Sequence, residues 1–297
     1  MKGARMKHRI GLRRRFLSPV MGCLLLCGCA GQGLPPPRTE SMAGTGLLSG
    51  VEQHVSDVRQ QVLTGDASAQ RRYGEWLAET GDTEKAQDVL TPVAEKGDIR
   101  AQYLLGLLLA GKNCAGTKRE AEDWMRRSAA GGLPAAQRTL GDWLTKGCGI
   151  PVDLGAALDW YRKAAEQGDA LAQNATGAAL SAGRGTARDL SGALVWYRKA
   201  AEQGSALAAF NLGNAYWTGS GSRANAGVAF AWYALAEKNA RPDEGTLRRV
   251  AQTMKTRALI LASARGRGLA SVTLANHYIN NYGRPTFRSS PSKDITE

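Results

Sequence analysis

The stretch LDWYRKAAEQGDALAQ, Leu158 to Gln173, returns as LVWYRKAAEQGSALAA, Leu194 to Ala209. The copies align without a gap at a shift of 36 residues. A looser copy, EDWMRRSAAGGLPAAQ, runs from Glu122 to Gln137, and FAWYALAEKNA starts at Phe230. A fixed period of this size marks an array of one supersecondary unit.

Asp169 to Gly204 serves as the type copy. Its first half places Ala172, Thr176, Gly177 and Leu180 at helical spacing along one face. Asp169 can cap that helix, and Gly183 and Gly185 can end it in left-handed conformations. The second half has Asp189 as N-cap and Gly204 as stop, with Ala193, Trp196, Ala200 and Ala201 on its face. Each unit is therefore two antiparallel helices of about a dozen residues. Five units lie end to end, beginning at Asp66, Asp98, Leu133, Asp169 and Ser205.

The ninth residue of every unit is glycine: Gly74, Gly106, Gly141, Gly177 and Gly213. Glycine inside a helix costs about 1 kcal/mol against alanine. Its recurrence in one register implies a compensating close approach of a partner helix. The fourth residue is always alanine: Ala69, Ala101, Ala136, Ala172 and Ala208. Helix two repeats small contacts at Ala86, Ala121, Ala157, Ala193 and Ala229. Trp124, Trp160, Trp196 and Trp232 are expected to fill the space between layers. No unit can bury its apolar face alone, so stacked neighbours must share one core. The first unit lacks the tryptophan and carries Pro92, which predicts a kink in its second helix.

This pattern resembles the Sel1-like repeats, relatives of the tetratricopeptide repeats. The Ala–Gln–Leu–Gly run of helix one and the WYRKAAEQG of helix two carry the resemblance. Ala136, Gln137, Leu140 and Gly141, leading to Trp160 through Gly168, are one instance. It covers Asp66 to about Gly221, with a degenerate sixth half-unit near Gly283. The fold expected is an all-α solenoid of antiparallel helix pairs. The five repeats span 66–240, and a capping helix with the half-repeat spans 241–283.

Ahead of the repeats, Met1 to Arg15 is basic and Phe16 to Gly28 is apolar, the pattern of an export signal over 1–28. The apolar run is too short to span a bilayer as a helix. It ends in Leu26–Cys27–Gly28–Cys29, which resembles a bacterial lipobox. Cys29 is the lipidation candidate, Cys27 a second one, and an ordinary cleaved signal with incidental cysteines the alternative. By resemblance to bacterial lipoproteins, Ala30 after Cys29 implies sorting to the outer membrane, facing the periplasm. Arg13–Arg14–Arg15–Phe16–Leu17 also fits a twin-arginine signal, so the export route stays open. Residues 29–50, with Pro35–Pro36–Pro37, read as a linker. Residues 51–65 read as a capping helix, with Val51, Val55, Val58 and Val62 on one face. The polar tail, 284–297, carries Pro285 and Pro291 and reads as disordered.

The formal charge is +13, but residues 1–28 hold seven Lys/Arg and no acid, leaving +6 for the rest. No nucleic-acid motif accompanies that charge, and a nucleic-acid partner is not expected. None of His8, His54 and His277 has a metal-ligand neighbour at useful spacing. No catalytic constellation, cofactor or metal site is expected. Gly106-Leu-Leu-Leu-Ala-Gly111-Lys112 has phosphate-loop spacing, but Asn113 follows where Ser or Thr would hold magnesium, and no strand precedes it. The pairs Arg126–Arg127, Arg162–Lys163 and Arg198–Lys199 read as a solvated helix face before a basic stripe.

Function is expected to be binding. Solenoids present long surfaces lined by helix one. The lining candidates at the sixth position are Arg71, Tyr103, Arg138, Asn174 and Phe210, and at the tenth Glu75, Asp142 and Asn214. The leading expectation is a non-catalytic envelope scaffold for a protein partner, and the resemblance suggests exopolysaccharide export as one setting. The other is a receptor for cell-wall or polysaccharide fragments using Tyr103, Phe210 and Trp217. A pocket lined by Trp217 would favour the small ligand, an open face the protein. Beyond the signal only Cys114 and Cys148 remain. Both sit in glycine-containing loops of successive units, in a compartment that oxidises thiols, and a disulfide between them is expected. Two free thiols are the alternative.

Overall fold

The computed structural model describes residues 66–111 and 119–283. The readings for residues 1–65, for Cys114 and for the tail 284–297 lie outside the described residues. The five units appear as five helix pairs. These are α1 (Ala67–Thr80) with α2 (Thr83–Glu95), α3 (Ile99–Ala110) with α4 (Arg119–Ala130), and α5 (Pro134–Lys146) with α6 (Leu154–Glu166). Then come α7 (Ala170–Ala182) with α8 (Leu190–Glu202), and α9 (Ala206–Thr218) with α10 (Ala226–Asn239). A single 3-10 turn, Pro242–Glu244, leads into α11 (Gly245–Ala264) and α12 (Gly268–Tyr282). Among the described residues there is no strand.

The helices start where the sequence places a capping oxygen. Asp66, Asp98, Asp169 and Ser205 each accept a backbone N–H of the first turn of a helix one. Asp153, Asp189 and Asn225 do the same for helix two. Leu133 offers no such oxygen, and there Pro134 fixes the first turn instead. The helix-one ends fall on glycines in the left-handed region, such as Gly147 at φ 73° and Gly183 at φ 69°. The kink expected at Pro92 is not needed to end the helix: α2 runs through it to Glu95. Pro92 lies in the last turn, so only one intrahelical bond is forfeited.

The recurrent glycine admits a specific partner. A Cβ on Gly141 would stand 2.7 Å from the ring of Tyr161, one on Gly177 2.7 Å from Tyr197, and one on Gly213 2.5 Å from Tyr233. In the first two units Leu90 and Met125 take that place against Gly74 and Gly106. The tyrosine meets the glycine, while the tryptophan packs between layers, as Trp196 does on Ala164 and Ala165 of the preceding unit. Tyr161, Tyr197 and Tyr233 are buried, while Trp160 and Trp196 are half-buried. One residue is about 100° of helical rotation. The tyrosine therefore faces helix one while its tryptophan neighbour turns to the side. There Lys163 lies 4.1 Å over the Trp160 ring, Lys199 4.4 Å over Trp196, and Arg127 4.7 Å over Trp124. Of the four helix-two tryptophans Trp124 and Trp232 are buried, and Trp160 and Trp196 pack half-buried against the core.

The Ala–Gln signature has a separate cause. Gln102, Gln137 and Gln173 are buried, and each amide donates to the last turn of the preceding helix two, at Ala94, Ala129 and Ala165. Gln167 then donates to the Gln137 carbonyl at 2.8 Å, and Gln203 to Gln173 at 2.7 Å. A buried amide left unpaired would cost about 1–3 kcal/mol, so this ladder fixes the repeat register. The array closes on α10. That helix is buried on nearly every side because α9, α11 and α12 all pack on it. Trp232 of α10 meets Tyr278 of α12 at 4.4 Å.

Candidate interaction surface

Helix one buries its fourth, eighth and ninth positions and leaves the third, sixth and tenth on its open side. The residues expected there divide into three groups. Arg71 and Arg138 reach forward to the next unit: Arg71 bonds Asp98 at 2.8 Å and Arg138 bonds Asp169 at 3.3 Å. Those aspartates are the N-caps of α3 and α7, so one carboxylate holds both a helix start and the preceding repeat. Asn174 likewise accepts from Asn211 of the next unit at 3.0 Å. The second group serves the tyrosines. Asp142 accepts the Tyr161 hydroxyl at 2.7 Å, and Asn214 accepts that of Tyr233 at 2.9 Å. Burial, first of all, holds the Tyr161, Tyr197 and Tyr233 phenols above the ordinary tyrosine range. The third group is aromatic. Tyr103 packs half-buried on the core shared by the second and third units, and Phe210 lies 5.6 Å from Tyr233. Glu75 is exposed.

Sequence reasoning missed the apolar members of this side. Leu171 and Leu207, both at the third position of successive units, are 57% and 45% exposed. Leu107, at a tenth position seven residues further along its helix, lies on the same side and is also exposed. The signal was available: an unpaired leucine at a position that the repeat does not use for packing. The basic pairs on helix two are locally engaged instead. Arg126 bonds Glu122 at 2.7 Å, and Arg198 bonds the Tyr216 hydroxyl at 2.9 Å.

Two notches open between neighbouring units, of about 110 and 230 Å³. They are one feature repeated. Tyr161, Leu158 and Thr145 line the first, and Tyr197, Leu194 and Ser181, 36 residues on, line the second. The second is larger, with Asn211 and Asn214 at its wall in place of Ala175 and Ala178. Both fall below the roughly 300–1,000 Å³ of a typical ligand pocket. Trp217 lines neither notch and is half-buried against the C-terminal core. The phosphate-loop spacing also resolves: Gly106 is buried in α3 against Met125, and Gly111 ends that helix. Cys148 is buried and engaged after α5. His277 is exposed on α12 beside Asn281.

With this geometry in place, comparison with known proteins is direct. The Sel1 repeat matches residues 99–133, 134–169, 170–205 and 206–239. These are the second to fifth helix pairs. A protective antigen present in uropathogenic Escherichia coli strains, displaying an SLR fold, superposes with a TM-score of 0.64 at 28% identity. That match covers 76% of this chain and 48% of the antigen, so the chain spans about half the antigen's length. A Sel1 repeat protein from Oxalobacter formigenes superposes at 0.55 and 28% identity, covering 73% of this chain and 86% of that one. No curated protein matches the sequence. The repeats, their register and their solved neighbours agree that residues 99–239 of the chain are four Sel1 repeats.

Proposed function

We propose that the chain is a non-catalytic envelope scaffold. An acylated Cys29 anchors it in the outer membrane facing the periplasm, and it recruits a protein partner to the open side of helix one. Sel1 repeats as a family mediate protein–protein interactions. The observation that carries the reading is the exposed leucine set, Leu107, Leu171 and Leu207, on the side the repeats leave free. Covering the part of each side chain that remains exposed contributes about 0.5–1.5 kcal/mol, so the three together can anchor an interface. The varied Arg, Asn, Asp and Glu residues around them supply a polar rim. The small size of the notches and the packing of Trp217 favour a protein over a small ligand. Exopolysaccharide export is one envelope assembly in which such a scaffold would act.

Within the same reading Cys148 bridges Cys114 and ties the second unit to the third. Its burial and engagement support this. Thiol titration of the denatured, periplasmically produced chain should find neither cysteine reactive without reductant; two reactive thiols refute the bridge. Cys29→Ala should release the chain from membranes. Unchanged fractionation with no acyl mass on the native chain refutes the anchor. Leu171→Asp combined with Leu207→Asp should leave helix content intact and abolish recovery of the partner crosslinked in intact envelopes. Undiminished recovery refutes the recruiting face.

A further inference from the structure

The net charge of residues 66–283 comes from one stretch. Residues 66–244 carry 21 Lys/Arg and 21 Asp/Glu. Residues 245–283, which are α11, α12 and their turn, carry six cations and no acid. Two of the six serve the fold: Arg248 donates to the Ala240 carbonyl and Lys255 pairs with Glu237. Arg249, Arg257, Arg265 and Arg267 are exposed, and among the described residues no carboxylate pairs with them. Like charges gathered without counterions cost free energy on their own, and an anionic surface would offset that cost.

The same elements expose their largest apolar side chains. Leu269 is 84% exposed and Ile260 65%, with Val250 and Val272 also uncovered. The arginines and apolar residues interleave. Arg249, Thr253, Arg257, Ile260 and Ala264 follow one side of α11 at helical spacing. Beyond it, Arg265 and Arg267 flank Gly266, whose φ of 70° turns the chain directly into α12, and Leu269 follows in its first turn. A peptide partner calls for a groove with pockets. Neither notch between the repeats includes a residue of α11 or α12. A cationic helix side with uncovered aliphatic residues suits a planar anionic surface, where arginines meet headgroups and aliphatic side chains enter the acyl boundary. Among the described residues no helix is long and apolar enough to cross a membrane, so the contact is superficial.

We propose that the α11–α12 pair docks on an anionic phospholipid bilayer, with Arg249, Arg257, Arg265 and Arg267 at the headgroups and Ile260 and Leu269 in the interface. The test uses the chain from residue 29 onward with Cys29→Ala, which keeps every described helix and lacks both the basic signal and the acyl site. Its co-sedimentation is measured with vesicles of phosphatidylcholine alone and with about one third phosphatidylglycerol. Binding should require phosphatidylglycerol and fall as salt rises. Each arginine near the surface contributes about fivefold, so Arg265→Gln with Arg267→Gln should weaken binding about 25-fold. Leu269→Ser should weaken it about tenfold even where charge is untouched. Both changes lie in exposed positions, and circular dichroism should show unchanged helix content. Arg162→Gln with Lys163→Gln, on α6, should bind as the parent does. Equal binding to neutral vesicles, equal loss from the α6 pair, or binding to soluble polyglutamate in place of vesicles would each overturn the proposal.

Discussion

Replacing Gly177 by alanine sets two effects of opposite sign against each other. Alanine improves an interior helix position by about 1 kcal/mol over glycine. Its Cβ, however, would stand 2.7 Å from Tyr197 Cδ1, 2.8 Å from Cε1 and 3.1 Å from the Ala193 carbonyl oxygen. Carbon atoms in good contact sit about 3.5–4.0 Å apart, so the ring must retreat by about 1 Å. It has little room to do so. The ring is buried, and its hydroxyl lies 3.1 Å from Ser181 Oγ. The carbonyl is backbone and cannot rotate away. Overpacking of this kind costs about 1–3 kcal/mol. The upper part of that range applies, and Gly177→Ala should destabilise by about 1–2 kcal/mol net. With Tyr197→Ala as background the ring is gone and only the approach to the Ala193 carbonyl oxygen remains, so the same substitution should be neutral to stabilising by up to about 1 kcal/mol. The coupling energy is then about 1–3 kcal/mol, against about 0.3–0.5 kcal/mol for independent sites. Urea unfolding followed by far-UV circular dichroism measures the four variants. With a slope of about 2 kcal/mol per molar urea, the single glycine variant should lower the midpoint by about 0.5–1 M. A coupling below about 0.5 kcal/mol would refute the glycine–tyrosine contact as the reason for the repeat's ninth position.

Gly106 should respond less, because its added Cβ meets the flexible end of Met125 at 3.1 Å and backbone atoms of Ala121 and Met125 no closer than 3.3 Å. Gly106→Ala should be within about 0.5 kcal/mol of neutral in the same assay; a loss above about 1 kcal/mol would show that α4 cannot yield at this contact. Gln173→Ala removes the bond to the Ala165 carbonyl and the partner of Gln203. It should cost about 1–3 kcal/mol, and a change of a few tenths would mean that the ladder is incidental. Burial raises the phenols of Tyr161, Tyr197, Tyr233 and Tyr278, so folding favours their neutral forms. Their contribution is complete below the ordinary tyrosine pKa of about 10 and is lost as pH climbs through the raised values. Ultraviolet titration should therefore show these phenols ionising above the ordinary tyrosine range, and those of Tyr161, Tyr197 and Tyr233 only with loss of helix content. A single transition near pH 10 for all of them would contradict the burial.

The repeat geometry was legible because each boundary carries its own residue. Asp98, Asp169 and Ser205 cap, Gly147 and Gly183 stop, and Gly177 marks the close contact. The choice between Trp196 and Tyr197 for the core was not legible, since composition favours the larger ring. Only the direction of each side chain around the helix decides it, together with the lysine that covers the tryptophan. Arg71 and Arg138 were read as lining residues of helix one. Their reach to the next unit's capping aspartate depends on the spacing of stacked helices, which no single unit encodes. Leu171 and Leu207 were visible but unread, because an apolar residue was assumed to pack. The acid-free run of residues 245–283 was also plain in the sequence. It was hidden when the charge was totalled over the whole chain.

The central claim is that a protein partner sits on the helix-one side. Photo-crosslinkable amino acids placed singly at Leu171 and Leu207, and at Val195 on helix two as the opposing control, test it in intact envelopes. All three native side chains are exposed, so each substitution spares the core. The account predicts the same discrete protein adduct from positions 171 and 207 and none from 195. Adducts from 195 alone, or equal adducts from all three, would contradict it.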